Sequence, residues 1–295
     1  MSTKIGHNKT LAATLFLAPA LLFLVIFFII PVTQSFYFSL TNWDGFSSSY
    51  RFSGFENYKY VFTARQTVQV IKNTFYLAII YIPVLNILSL FLAVIINDCK
   101  KLQNVYKSIL FFPNLLALAV TGYIFKMILN PSTGILNRVL DSIGLSSITL
   151  DWLGNIHTVI PAISLTTIWV CTGFYLVIYL AGIMGIPQDL YEAASIDGAS
   201  RWQKFQFITF PLLSPSITIN VILSTIGILG AFDLPYVMTG GGPAYYSTTI
   251  ALQIYVYNSK SLQLGNGLVL SVVLCIVSII ITAILFKITT RRNIY

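Results

Sequence analysis

Charge is what this chain has least of. Only 9% of its 295 residues are Asp, Glu, Lys or Arg, whereas 56% are hydrophobic. A soluble domain usually carries about 25% charged residues, so an ordinary water-solvated fold is excluded and lipid is the expected solvent. Cysteine is scarce too. Cys99, Cys171 and Cys275 lie far apart, two of them inside apolar runs, which excludes a disulfide framework and leaves packing as their expected role. The two histidines, His7 and His157, have no carboxylate pair or cysteine at a catalytic or metal-ligating spacing. No GxxxxGK[ST] string occurs, so the chain is not expected to bind ATP itself. Taken together, these gaps point away from an enzyme and leave no cofactor or metal set on the chain.

The net charge of +8 does not indicate nucleic acid. Lys4, Lys9, Lys100, Lys101, Lys107, Lys287, Arg291 and Arg292 flank apolar runs and form no single basic face. Such a distribution controls membrane topology. Leu11 to Ile30 is 20 residues without a charge, longer than the roughly 7–15 of a signal-peptide core, and is expected to be a retained first span.

Six segments approach the roughly 20 apolar residues a membrane helix needs, centred on 11–38, 74–96, 108–127, 158–184, 208–231 and 268–287. The third is weakest, because Lys126 follows Phe125 at once; its ammonium is expected to snorkel to the interface. None of the six alternates with period two, so a membrane barrel is excluded. The expected fold is all-α: a polytopic membrane protein with six transmembrane helices. With both termini in the cytoplasm, the inner segments hold ten Lys or Arg and the outer ones six, which sets the orientation N-in/C-in. The expected organisation is an N-terminal tail, first helix and outer loop over 1–72, a five-helix core over 73–290, and a tail over 291–295.

Two loops are more than connectors. After the fifth span comes TGGGP, where Gly240, Gly241, Gly242 and Pro243 demand an irregular backbone. Thr248 to Tyr257 beyond it is apolar but too short to span, and reads as re-entrant or interfacial. The other loop is a charged island, YEAASIDGASRWQKFQFITFPLLSP, between the fourth and fifth spans. Asp189 is placed as an N-cap with Glu192 three residues on, and Asp197-Gly198 ends that helix. Ser200 and Gln203 have capping-box spacing and start a second helix. Ala193, Ala194 and Ala199 keep the unit slim, and Glu192 and Arg201 have opposite charges available for each other or for a partner. An ordinary solvated loop with caps accounts for the spacing equally well.

Glu192-Ala193-Ala194, Gly198 four residues on, and Ile208 with Pro211 resemble the EAA motif of importer permeases of the ATP-binding-cassette type. The longer LYEAASIDGAS string, with Phe205, Pro211 and Pro215, is similar to the carbohydrate-uptake branch, to the first permease of maltose- and glycerol-phosphate-type importers. Asn42-Trp43, FSGFENY (Phe52 to Tyr58) and TGGGP extend the resemblance along most of the chain. Phe210 stands where that family often has leucine, a conservative change. The resemblance implies coupling helices over 187–211, with Tyr191, Glu192, Ala193, Ala194, Asp197, Gly198, Arg201 and Pro211 facing a separate ATPase. It further implies two copies of that ATPase carrying ATP and magnesium, a second homologous permease, an extracellular solute-binding protein, and a carbohydrate crossing a bacterial cytoplasmic membrane.

A substrate path requires small or polar residues on one helix face. Ser216, Asn220, Ser224, Gly227 and Ala231 share a face of the fifth span, and Asn86, Ser89, Ala93 and Asn97 one of the second. Helix packing is the preferred account of both stripes, with pore lining the alternative. Trp169, Tyr175 and Phe232 supply aromatic faces suited to sugars. Against the pump stands an ion-coupled carrier working alone, which would show acidic groups inside its spans, and none lies there. A third reading, a membrane scaffold, leaves the stripes and the island unexplained.

Overall fold

The computed structural model describes residues 16–261 and 263–290, so Lys4, His7, Lys9, Arg291, Arg292 and the 291–295 tail lie outside the described residues. Among those described, the regular structure is helical, with one isolated bridge between Thr41 and Phe52. The helices are α1 (Phe16–Ser39), α2 (Glu56–Thr63), α3 (Arg65–Asp98), α4 (Gln103–Phe111), α5 (Leu118–Ile128), α6 (Ile135–Ser142) and α7 (Val159–Met184). They continue with α8 (Gln188–Ile196), α9 (Arg201–Leu212), α10 (Ser214–Leu229), α11 (Asp233–Thr239), α12 (Ile250–Tyr255) and α13 (Leu264–Thr290).

Four of these, α1, α3, α7 and α13, are long and apolar enough to cross a membrane unaided. Helix α3 has 34 residues, about 51 Å at 1.5 Å per residue, well over the ~30 Å hydrocarbon core. The third and fifth apolar runs each fold as a pair of helices separated by a bend. Gln103–Leu115 and Leu118–Ile128 meet at 93°, and Arg201–Leu212 and Ser214–Leu229 at 66°. In the first pair Pro113 tightens the end of α4 into a 3₁₀ turn, and Leu116 and Ala117 then go extended. In the second, Pro211 and Pro215 each lack the N–H that would bond four residues back.

Two compact units are discernible, Met1–Thr63 with Ile254–Val273, and Ala64–Gln253 with Leu274–Tyr295. The division drawn from sequence at residue 72 falls inside α3. In the first unit, Asn57 of FSGFENY donates to the Ser39 and Thr41 carbonyls at 3.0 and 2.7 Å, satisfying acceptors at the end of α1. Tyr58 meets the Ser39 hydroxyl at 2.9 Å. Trp43 stacks on Phe38 with centroids 4.3 Å apart. The Asp44 carboxylate then closes the loop, accepting from the Phe46 and Ser47 amides and the Ser47 hydroxyl.

The second unit is organised on the packing of α3 against α7. Leu77, Tyr81 and Leu85 meet Ile160, Ile163 and Tyr175 in one cluster, and Ala93 and Ile96 meet Leu176, Tyr179 and Ile183 in another. Glycines set the separations. A Cβ on Gly173 would strike the Leu110 carbonyl, and one on Gly182 would strike Ser216 and Leu213. The TGGGP loop belongs to the same body. Gly240 and Gly241 have φ of +62° and +92°, and Ala244 and Tyr245 follow at +43° and +69°. Buried Asn73 of α3 donates to the Tyr245 and Thr248 carbonyls at 2.6 and 3.0 Å. Thr74 accepts from the Ile250 amide, Gln66 reaches Gln253, and Thr249 donates to the Ala231 carbonyl at 2.6 Å. Ser247, Thr248 and Thr249 are all buried. Thus the segment expected to be interfacial or re-entrant contains α12, with Ile250, Leu252 and Gln253 buried.

Two measurements check this account. Asn73→Ala removes the hydrogen bonds to the Tyr245 and Thr248 carbonyls, each contributing about 0.5–1.5 kcal/mol. The expected result is a lower unfolding temperature in detergent and faster amide exchange across 245–250; unchanged exchange there would contradict the clamp. The three donors around the exposed Asp44 hold its carboxyl below the ordinary 3.8, at about 2, with the Ser47 hydroxyl the largest cause. A depressed carboxylate contributes stability that is present above the unfolded value and lost as pH falls through the folded one. The Asp44–Ser47 turn is therefore expected to stay closed at pH 4 and open as pH falls through about 2, read from the carboxyl carbon shift of Asp44.

Candidate functional site

The charged island folds as a helix, a left-handed glycine and a second helix. Pro187, not Asp189, holds the N-cap position of α8 and makes no side-chain cap bond; Asp189 sits in the first turn, where its charge favours the helix dipole. The proline displaces the aspartate because its fixed φ suits a helix entry and its missing N–H costs nothing there. At the other end, Gly198 takes φ of +76°, its amide bonding to the Ser195 carbonyl and that of Ala199 to the Ala194 carbonyl at 2.8 Å. That pair of bonds is a Schellman cap. No atom lies within 4 Å of where a Gly198 Cβ would project, so glycine is required there for conformation and not for space.

The second helix opens on the capping box expected of it. Ser200 accepts from the Gln203 amide, and the Gln203 side chain accepts from the Ser200 amide at 2.8 Å. Lys204 donates to the Ser195 hydroxyl at 2.6 Å, bracing α9 back to α8. Glu192 and Arg201 do not pair. Arg201 instead approaches Asp98 at the end of α3, at 3.9 Å, and both groups are exposed, so the pair contributes little.

Helix α8 buries none of its residues. Glu192, Ala193, Asp197 and Gly198 are exposed, and Tyr191, Ala194 and Ala199 partly so. Ile196 is 88% and Trp202 68% exposed, and Trp202 stacks on Phe205. Together with exposed Leu190 of α8, Ile196 and Trp202 form an apolar surface suited to another protein. Neither residue was singled out from sequence; the available signal was an apolar residue closing the polar helix and an aromatic opening the next. Behind the projection lies a cavity of about 480 Å³, lined by Asn97, Asp98, Lys100, Tyr191, Arg201, Lys204 and Thr209 among others.

The sequence-selected path residues separate into two groups. Asn86, Ser89, Asn220 and Ser224 are buried between helices. Tyr179 donates to the Asn86 carbonyl oxygen at 2.8 Å, Asn86 donates to the Ser224 hydroxyl, and Ser89 and Asn220 donate to the Thr172 and Tyr175 carbonyls of α7. These contacts join α3, α7 and α10. Thr218 and Thr225, off the small-residue face, bond their own helix carbonyls four residues back. By contrast, Trp169 is 45% exposed against Phe125, and Gly227 is exposed with the Tyr175 hydroxyl 4.0 Å from its would-be Cβ. Phe232 stacks on Tyr236 at the end of α10. Gly240 to Pro243 lie in the clamped loop beyond.

The chain matches the model of the family described as binding-protein-dependent transport system inner membrane component over residues 65–293. It is 37% identical to the sulfoquinovosyl glycerol transport system permease protein of Agrobacterium fabrum, over 96% of this chain and 92% of that one. The trehalose/maltose transport system permease protein of Thermococcus litoralis is 32% identical over 99% and 98%. Among solved structures, a bacterial ABC transporter involved in import of the acidic polysaccharide alginate aligns with a TM-score of 0.82 and 25% identity, covering 98% of each chain. The match spans everything from α3 to the end of α13, including the glycine-capped projection and the clamped loop. The chain belongs to the family of inner-membrane components of binding-protein-dependent transport systems.

Proposed function

We propose that this chain is one half of the pore of an ATP-driven sugar importer. It crosses a bacterial inner membrane six times, N-in/C-in, with the two bent pairs each counted as one crossing. A second homologous permease completes the pore, two copies of an ATPase dock from the cytoplasm, and an extracellular solute-binding protein delivers the carbohydrate. The chain itself holds no cofactor; ATP and magnesium act on the partner. The related permeases named for sugar derivatives and the alginate importer, also solved with its pentasaccharide-bound periplasmic protein, support the substrate class.

The observation that carries this reading is the α8–Gly198–α9 projection. Its two helices are capped on either side of the turn between them, α8 buries nothing within the chain, and Ile196 and Trp202 face outward. Tyr191, Glu192, Ala193, Ala194, Asp197, Gly198 and Arg201 form the ATPase contact, and Pro211 marks where it joins the fifth crossing. ATP binding favours one orientation of the pore and hydrolysis releases it, a two-state equilibrium biased through this element. Along the path, Trp169, Gly227 and Phe232 meet the sugar, while buried Tyr175, Asn86, Ser89, Asn220 and Ser224 hold the helices that carry them.

The test is purification with the neighbouring subunits, followed by ATPase assays with binding protein across a sugar panel. One sugar class is expected to stimulate hydrolysis. Glu192→Lys and Gly198→Val, the latter carrying roughly 1–2 kcal/mol of left-handed strain, are expected to reduce both stimulation and ATPase co-purification. Wild-type levels of both in the two variants would refute the coupling role.

A further inference from the structure

We infer that the Tyr191–Thr209 hydrogen bond is the positioning contact through which the projection sets the bend of the fifth crossing. This inference rests on the transport reading above and specifies how its lever is attached.

The two hydroxyls lie 2.9 Å apart, joining residues 18 apart in sequence. Tyr191 is in the middle of α8, the helix that buries nothing, whereas Thr209 is 6% exposed inside α9. A bond between a projecting element and a buried one is where displacement of the first reaches the second. Thr209 also occupies a particular place in its helix. Phe205–Thr209 is a π-helical turn, closed by the Phe210 amide bonding five residues back to Phe205. The Thr209 hydroxyl lies 3.4 Å from the Lys204 carbonyl, also five back. With its proton there, Thr209 accepts and Tyr191 donates.

Immediately beyond, Pro211 and Pro215, four residues apart, each remove a backbone donor, one on either side of the 66° break at Leu213. Wide turns of this kind and paired prolines are the places where a helix bends with least loss of bonding. The bend is therefore soft, and the hydroxyl pair grips its soft side. Room to move is present as well. Tyr191 and Thr209 both line the cavity of about 480 Å³, together with the ends of α3 and α7. The other two ties, Arg201 to Asp98 and Lys204 to Ser195, are exposed and yield easily to water. Neither of them reaches the π turn. The hydroxyl pair does.

The experiment uses the complex purified with its own second permease, ATPase and binding protein and reconstituted in vesicles. It measures sugar transported per ATP hydrolysed, with and without sugar-loaded binding protein. Tyr191→Phe removes only the hydroxyl bonded to buried Thr209 and keeps the ring at the ATPase contact. That variant and Thr209→Val are each expected to lower that ratio about three- to tenfold, the range one hydrogen bond spans, with subunit assembly unchanged. The double variant is expected to be no worse than either single, and Thr209→Ser, which keeps the hydroxyl, to transport as the wild type does. An unchanged ratio in either single variant, or a double loss equal to the product of the two, overturns the inference. So does lowered thermal stability with the ratio intact, the mark of a purely structural contact. If the wild-type complex shows no stimulation by binding protein, the transport reading itself fails, a result separate from these.

Discussion

In hydrocarbon an unpaired backbone group costs several kcal/mol, so every break in a helix must be repaired within the protein. That constraint organises this chain. Where α3 and α7 run unbroken they form the axis of the larger unit, and the polar atoms between them are paired, Tyr179 with Asn86 and Ser89 with the Thr172 carbonyl. Where the chain must leave regular geometry, other residues take over the lost bonds. Asn73 and Thr74 of α3 do this for the TGGGP loop. The 34 residues of α3 are thus both a membrane crossing and a support rod for the loop beyond it.

At the opposite end of α10 from that loop the arrangement reverses. The α8–α9 projection is held by caps internal to itself, the Gly198 Schellman bonds and the Ser200–Gln203 box, and by few contacts with the rest. An element that is rigid inside and loosely attached outside moves as one piece. Its attachment point coincides with the π turn and the two prolines of α9 and α10. On the transport reading proposed above, a short rigid piece joined to a soft bend would convert displacement at the projection into a change of angle in the crossing.

Much of this was legible in sequence, for physical reasons. Charge scarcity and apolar run lengths are set by the solvent, so α1, α3, α7 and α13 are visible directly in the residues. Caps are local, so the Ser200–Gln203 box and the glycine break were visible too. What escaped depends on partners far apart in the chain. Nothing near Asn73 announces the Tyr245 carbonyl 172 residues away, and nothing near Tyr191 announces Thr209. The 93° break was hidden because Leu116 and Ala117 are as apolar as the helices they separate. Asp189 was misplaced as a cap because Pro187 satisfies the same helix entry two residues earlier. The small-residue stripes remained ambiguous in sequence because close packing and pore lining demand the same side chains. The structure buries Asn220 and Ser224 but leaves Gly227 open.

The central claim is that the angle at Leu213 follows the projection. It is tested most directly by spin labels at the exposed positions Phe207 and Ile226, on either side of the break, in a chain with Cys99, Cys171 and Cys275 replaced by alanine. The distance between the labels, measured by pulsed electron resonance in the reconstituted complex, is predicted to change on ATP binding and to return after hydrolysis. A single distance, unchanged through a cycle that still transports sugar, would contradict it.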